Sequence, residues 1–327
     1  MDPRGRLEQI AHGYQDAVIF LSALRVGVFA AIGREARRAD DLAEDLDLDE
    51  RALETVLLAL AAIEVLVREE DGRFRIAPDF APYLLPDGEK TQANIFSHHY
   101  HLMRRWVRLV EVLRTGHPVP RDPEGRTPRQ LRDFIYGMAD ISRSSSVEVA
   151  EKVDLSGRRR LLDLGGGPGT AALTFAAKWP QLTCVVFDLP DVIEIAKEQI
   201  ARAGLGERVT VQVGDYHTDG LGEGYDVVYA SNIIHSLGPA NVRMLCAKVH
   251  SALEPGGLFV LKDFFLDDTR TKPVHSARFS VNMLVGTEEG RAYALGETRK
   301  ILARVGFGEV EVIPVAAHSM MLLATKP

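Results

Sequence analysis

Nine residues, Leu161-Leu162-Asp163-Leu164-Gly165-Gly166-Gly167-Pro168-Gly169, constrain this chain more than any other stretch. The apolar opening is short and continuous, as a buried parallel strand is. The glycines that follow leave a turn without side chains, and residues 170–178 read as the helix that starts directly after it. A strand, a bare turn and a helix N-terminus hold ligands through backbone N–H groups and the helix dipole. The motif is spelled D-x-G-x-G-x-G by Asp163, Gly165, Gly167 and Gly169. A dinucleotide fingerprint, G-x-G-x-x-G, would need a glycine where Thr170 stands, so a nicotinamide dehydrogenase fits poorly. By itself the stretch admits two readings, a nucleotide or cofactor site and a merely tight structural turn.

The runs downstream favour the ligand site. Residues 183–187 form a second apolar strand ending in Asp188, at the interval after Gly165 where an acid meets a ribose and accepts from two hydroxyls. Residues 209–213 form a third, closed by Gly214-Asp215-Tyr216. An acid that accepts from an exocyclic amine and a ring that packs on a base suit adenine. Residues 225–230 run into Ser231-Asn232-Ile233-Ile234-His235, bringing a histidine to the same place. Open α/β sheets bind ligands at the carboxyl edge of their strands, where all these groups fall.

Together with Glu254-Pro255-Gly256-Gly257, these segments resemble the successive motifs of class I S-adenosylmethionine-dependent methyltransferases. The histidine after the fourth strand, with the front half of the chain, is similar to the O-methyltransferases typified by the plant caffeic acid and animal hydroxyindole enzymes. The resemblance covers nearly the whole chain. It implies an α/β Rossmann-like methyltransferase sheet with a reversed C-terminal hairpin, preceded by an α-helical winged-helix dimerisation domain. It implies S-adenosylmethionine as cofactor, held by Asp163, Gly165, Gly167, Asp188, Leu189, Asp215, Tyr216 and Ser231. It makes His235 the catalytic base and Asp263 the first of two carboxylates beside it, one methylene shorter than the usual Glu. The second falls near Ala292, which cannot serve; Glu288 or Glu289 stands in the same loop, with simple solvation as the other use of both. Trp106, Phe134, Met138, Asn282 and Met283 are implied to line the acceptor pocket, plain helix packing being the alternative for the helical ones. Plant members follow the histidine with an acid or amide and a tryptophan, where this chain has Ser236-Leu237.

The chemistry suits those residue types. S-adenosylmethionine carries its own electrophile, so a protein need only align an acceptor and remove its proton. A phenol titrates near 10 and a histidine near 6.5, a serviceable base when proton loss accompanies transfer. No arrangement of acids calls for a divalent metal. His98, His99 and His101 lie within four residues but have no acid or cysteine cluster nearby, which argues for contacts rather than ligation.

The front of the chain reads as helices and a hairpin. Residues 7–32 carry apolar positions at helical spacing, at least one long amphipathic helix whose stripe needs cover. Residues 40–46 and 49–62 follow as helices, and residues 65–67 and 73–76 as a hairpin across Glu69-Glu70-Asp71-Gly72, together a winged helix. The helix that would enter a DNA groove opens Asp47-Leu48-Asp49-Glu50, a poor surface for phosphates, so a structural role is expected instead of a ligand-sensing regulator, and the resemblance implies that this role is pairing two subunits in a homodimer. Helices are expected over residues 91–114 and 128–153, with a loop over 116–128 between them. Later come a helix over 239–252, a strand over 258–264, helices over 278–284 and 297–305, and a closing hairpin of 309–315 with 319–324. The expected domains are residues 1–87 for dimerisation, 88–155 for linker and acceptor-pocket helices, and 156–327 for the cofactor.

Composition narrows the partners. A net charge of −7 argues against broad attraction to nucleic acid or an anionic membrane, and no apolar run approaches a membrane span. Met1-Asp2-Pro3-Arg4 does not open like a secretory leader, so a cytoplasmic protein is expected. Cys184 and Cys246 sit in apolar settings and are expected to be buried thiols. The expected partner is a small, aromatic acceptor, methylated on a phenolic or enolic oxygen; nitrogen or carbon methylation, or loss of methyl transfer on the same fold, is the neighbouring alternative.

Overall fold

The computed structural model describes residues 2–88, 90–120, 128–315 and 318–327. The chain forms two compact units, Met1–Arg104 with Arg126–Asp140, and Arg105–Gly125 with Ile141–Pro327. The expected loop over 116–128 lies mostly outside the described residues.

In the first unit, the helical stretch expected over residues 7–32, at least one long helix, is made of α1 (Pro3–His12), α2 (Tyr14–Arg25) and α3 (Val28–Ile32). Gly13 separates α1 from α2 while keeping right-handed helical angles, whereas Gly27, with φ +90°, takes the backbone out of the helical region before α3. Val28, Phe29 and Ile32 enter the unit's own core, whereas Leu7, Ile10 and Tyr14 remain 68%, 61% and 62% exposed. Next come α4 (Ala39–Leu46) and α5 (Glu50–Ala62), the latter started by the Asp49 carboxylate, which accepts from Ala52 N at 2.8 Å. The strands β1 (Leu66–Arg68) and β2 (Phe74–Ile76) then pair antiparallel as the expected hairpin. Leu42, Leu53, Leu57, Leu60 and Phe74 bury themselves in one core, each contributing about 2 kcal/mol.

The short α6 (Ala81–Leu84) leads to α7 (Ala93–Trp106) and α8 (Leu109–Thr115), which divide the helix expected over 91–114. The long α9 (Pro128–Lys152) belongs to both units. Residues 88–155, expected as linker and acceptor-pocket helices, fall partly in each unit. Phe96 packs on the core of the front helices, while Val149, Ala150 and Val153 join a core of the sheet, so burial assigns these helices piecewise.

The second unit is a layered α/β structure. Its strands are β3 (Arg160–Leu164), β4 (Thr183–Asp188), β5 (Val209–Val213), β6 (Tyr225–Ser231), β7 (Leu253–Asp263), β8 (Val310–Val315) and β9 (Ser319–Thr325). They lie in the order β5-β4-β3-β6-β7-β9-β8. The first five are parallel, and β9 runs antiparallel to both β7 and β8. Leu161, Leu162 and Leu164 are fully buried because β3 has a strand on either side and helices over its faces, which explains its unbroken apolar run. Both thiols are free and buried, and burial pushes Cys184 and Cys246 up to about 12.

The helices are α10 (Thr170–Lys178), α11 (Pro190–Ala203), α12 (Pro239–Ala252), α13 (Val274–Gly286) and α14 (Leu295–Val305). The order of strands reverses between β3 and β6, a topological switch point, and the carboxyl ends there open a crevice. Among the described residues no helix is long and apolar enough to cross a membrane.

Candidate active site

A cleft of about 610 Å³ follows the carboxyl edge of the sheet, within the usual size of a small-molecule site. Its floor takes one segment from each strand in spatial order: Gly214, Asp215 and Tyr216 after β5, Asp188 and Leu189 from β4, Gly165 after β3, and Asn232 and Ile233 after β6. Leu237, Gly238, Asn241 and the Thr287-Glu288-Glu289 segment form the opposite wall. Gly165 has φ +62°, and a Cβ there would stand 2.7 Å from Ile233 Cδ1, so the β3–α10 turn can press against the end of β6 only as glycine.

Asp188 is held by two backbone donors. Its Oδ2 accepts from Gly167 N and its Oδ1 from Leu189 N, both at 2.8 Å. Each oxygen retains a lone pair for a ligand hydroxyl. Burial raises the pKa of this carboxyl above the ordinary range, against the pull of those two bonds. The neighbouring Asp215 loop is clamped by Lys248 of α12, whose ammonium donates to the carbonyls of Tyr216, His217 and Asp219 at 2.8, 3.1 and 2.8 Å. Burial also raises the Tyr216 phenol.

Three residues expected to touch the cofactor lie off the cleft wall. Asp163 is 2% exposed and turns inward behind the glycine turn, where its Oδ2 accepts from Ala172 N at 3.1 Å in the first turn of α10. It lies directly under Gly166, where a Cβ would come within 2.7 Å of Asp163 Cγ. Gly167 spends its N–H on Asp188. Ser231 faces the buried Lys262, whose Nζ donates to Ser231 Oγ at 3.4 Å. All three organise the turn and sheet that shape the cleft.

His235 sits on the 3-10 turn Ile234–Ser236, two residues before α12 reaches its N-cap at Gly238. Its Nδ1 is 2.7 Å from Asp263 Oδ1 at the end of β7, and its backbone N donates to Asp263 Oδ2 at 3.4 Å. The Asp263 side chain is 2% exposed and the imidazole 14%. An ionised carboxylate only accepts, so Nδ1 carries the proton and Nε2 presents a lone pair. The Phe279 ring meets the imidazole edge-on at 4.7 Å.

Phe279 precedes Asn282 and Met283 by one turn on α13. Asn282 Oδ1 accepts from Trp106 Nε1 at 3.0 Å, and Met283 is buried. Phe279 and Lys248 are absent from the sequence reading; helical spacing back from Asn282 is the signal that would have found Phe279. Phe134 and Met138 fall in the first unit on α9, half-buried, with the Phe134 ring 5.2 Å from that of His98. The segment expected to supply a second carboxylate runs along the backbone of His235, with Arg291 N donating to His235 O at 2.7 Å, and places buried Ala292 there. Glu288 pairs instead with His117 at 3.5 Å, and Glu289 lies against Gly238. Burial lowers the pKa of His99, and among the described residues no three His, Cys, Asp or Glu side chains converge as a metal would require.

A family defined by its O-methyltransferase domain matches residues 119–308. The 3-hydroxy-5-methyl-1-naphthoate 3-O-methyltransferase of Streptomyces sahachiroi is 32% identical over 325 residues, covering 95% of this chain and 91% of that one. The acetylserotonin O-methyltransferase of Gallus gallus is 27% identical over 321 residues, covering 93% and 92%. In fold, the crystal structure of human N-acetylserotonin methyltransferase in complex with SAM superposes with a TM-score of 0.90 over 100% of this chain and 98% of that one, at 23% identity.

A parallel sheet closed by an antiparallel hairpin, with a glycine turn and ordered acids along its carboxyl edge, defines a class I S-adenosylmethionine-dependent methyltransferase. Within that class, this chain belongs to the O-methyltransferase domain family.

The cleft fits the cofactor. Asp188 and Asp215 offer acceptors to hydroxyls and an amine, and the described lining residues include no Lys or Arg. A pyrophosphate would find no side-chain cation there, whereas a ligand bearing a sulfonium and an ammonium meets carboxylates.

Proposed function

We propose that this methyltransferase acts on a phenolic or enolic hydroxyl of a small aromatic acceptor, with His235 as general base. The observation that carries the reading is the 2.7 Å pairing of His235 Nδ1 with buried Asp263 beside the cleft. When bound, S-adenosylmethionine supplies a methyl group already activated as an electrophile. The chain's own part is to hold the acceptor and take its proton. His235 Nε2 receives the hydroxyl proton, and Asp263, fixed by Phe264 N at 2.8 Å as well as by His235, steadies the imidazolium that results. Asp263 is thus a positioning residue. Phe279, Trp106 and Asn282 in the same unit offer an aromatic wall with its polar edges already paired, a surface suited to a flat ring.

The relatives named above, which by name act on a hydroxynaphthoate and on acetylserotonin, support an aromatic hydroxyl acceptor. The exposed apolar side chains of α1 and α2 support a homodimer that covers them, with the front helices and wing as dimerisation domain. Two free thiols accord with work in a reducing cytoplasm.

The test is transfer of a ¹³C-labelled methyl group from S-adenosylmethionine to a panel of naphthols, hydroxyindoles and arylamines, with the product read by NMR. The expected product carries the label on oxygen. Label on nitrogen or carbon alone overturns the acceptor assignment.

A further inference from the structure

His235 sits in one short 3-10 turn, Ile234–Ser236, whose internal bonds, Ser236 N to Ile233 O and Leu237 N to Ile234 O, are each 3.1 Å. A lone turn of this kind has poor hydrogen-bond geometry, so its orientation depends on what grips it from outside. The grip comes from the segment Gly290 to Tyr293. Arg291 N donates to His235 O at 2.7 Å, and the Tyr293 hydroxyl donates to Leu237 O at 2.5 Å. Tyr293 is 1% exposed. A buried phenol has to spend its O–H, and this one spends it on the turn that carries the histidine. Burial raises its pKa, against the opposing pull of Arg291, so the hydroxyl keeps the proton it donates.

The segment is itself anchored to the elements around the histidine. Just past Asp263, Leu266 N donates to Tyr293 O at 2.9 Å. On α13, which carries Phe279 and Asn282, Ser280 Oγ accepts from Ala292 N at 2.9 Å. Gly290 N donates to Thr287 Oγ1 at 2.9 Å, and that hydroxyl donates in turn to Met283 O at 2.7 Å. On α14, Glu297 Oε1 pairs with Arg291 Nη2 at 2.5 Å, while the guanidinium lies 4.8 Å from the centre of the Tyr293 ring. The histidine turn, the aromatic wall and the exit of β7 are thus bonded to one short stretch of chain. Gly290 permits the close approach, since a Cβ there would stand 2.5 Å from His235 O.

We propose that Gly290 to Tyr293 is a positioning strap for the base: through the Tyr293 hydroxyl and Arg291 N it fixes the His235 turn relative to α13, so that Nε2 faces an acceptor lying against Phe279. Asp263 sets the rotation of the imidazole; the strap sets where the backbone carries it. Gly290 and Tyr293 are positioning residues, and neither lines the cofactor cleft. The inference rests on the reading of His235 as general base.

Two variants test it. Tyr293→Phe removes the hydroxyl alone, and Gly290→Ala wedges the strap away from His235 O. A misplacement of about 1 Å at a reacting pair costs on the order of a hundredfold, so each variant should lower kcat on a neutral phenol by about ten- to a hundredfold, with the KM for S-adenosylmethionine within about twofold of wild type. The loss should fall below about threefold for an acceptor already ionised at assay pH, which needs no base. Rates are taken per active site counted by calorimetric titration with S-adenosylmethionine, so that unfolded protein does not enter them. Equal slowing of neutral and ionised acceptors, which is what a merely structural role gives, or wild-type turnover on both, would overturn the proposal. His235→Ala separates the two readings. If that variant does not distinguish neutral from ionised acceptors, the base assignment fails and the strap's role with it; if it does and neither strap variant does, the base stands and the strap alone is refuted.

Discussion

Replacing Asp163 by asparagine probes the carboxyl behind the glycine turn without altering the cleft wall. Asp163 is 2% exposed, and burial raises its pKa from 3.8 to about 7; Asp188 nearby adds to the rise, and the bond from Ala172 N opposes it. In the unfolded chain the group titrates near 3.8, so between pH 4 and 7 the folded state keeps a proton that the unfolded state has released. The folded state therefore has its full share of stability from this group below about pH 4, loses it as pH rises toward 7, and stays at the lower level above. At about 1.4 kcal/mol per pH unit of that window, the loss reaches about 4 kcal/mol. The substituted carboxamide would still accept from Ala172 N and has no charge to desolvate, so whatever it costs is independent of pH. The expected result is a variant whose stability relative to wild type improves by about 4 kcal/mol between pH 4 and pH 8. For a unit of this size that is roughly 10 °C in melting temperature. Thermal and urea melts at matched ionic strength measure it, and S-adenosylmethionine affinity should stay near wild type. A gap between the two proteins that is the same at pH 4.5 and pH 8 would refute the reasoning.

Because His235 Nε2 is the free nitrogen of a carboxylate-held ring, His235→Ala should slow methylation on the order of a hundred- to ten-thousandfold while binding S-adenosylmethionine normally. The loss should shrink for acceptors already ionised at assay pH, and Asp263→Asn should cost less; near-wild-type turnover on a neutral phenol would place the base elsewhere. Asp188→Ala removes both a ligand acceptor and the partner of Gly167 N and Leu189 N, so calorimetry should show at least tenfold weaker S-adenosylmethionine binding, with no NAD binding to wild type in its place. The exposed α1 and α2 face predicts a dimer by light scattering that Ile10→Glu with Tyr14→Glu converts to monomer, and a wild-type monomer at assay concentration would count against it.

Much of the second unit is legible in the sequence because its determinants are local. The runs at 209–213, 170–178 and 239–252 are bounded by glycine, proline or charge, and they fold to those limits as β5, α10 and α12. The same is not true of residues 7–32, where helical spacing persists through Gly27 but the backbone leaves the helical region there. Periodicity reports which residues prefer burial; it does not say whether one helix or three will bury them. Nor could the middle region be divided by composition, since α9 is one uninterrupted helix whose two ends fall in different units.

The site divides along the same line. The D-x-G-x-G-x-G spelling and the acids at strand ends are properties of short segments, so chain order alone brings these groups to the carboxyl edge where the cleft lies. The tertiary structure decides which member of a motif faces the cleft. Asp163 alternates inward along β3 and holds α10, Gly167 gives its N–H to Asp188, and Ser231 meets Lys262, because strand register and the packing behind the turn set those directions. His235 and Asp263, 28 residues apart, reach 2.7 Å only because β6 and β7 are neighbours in the sheet.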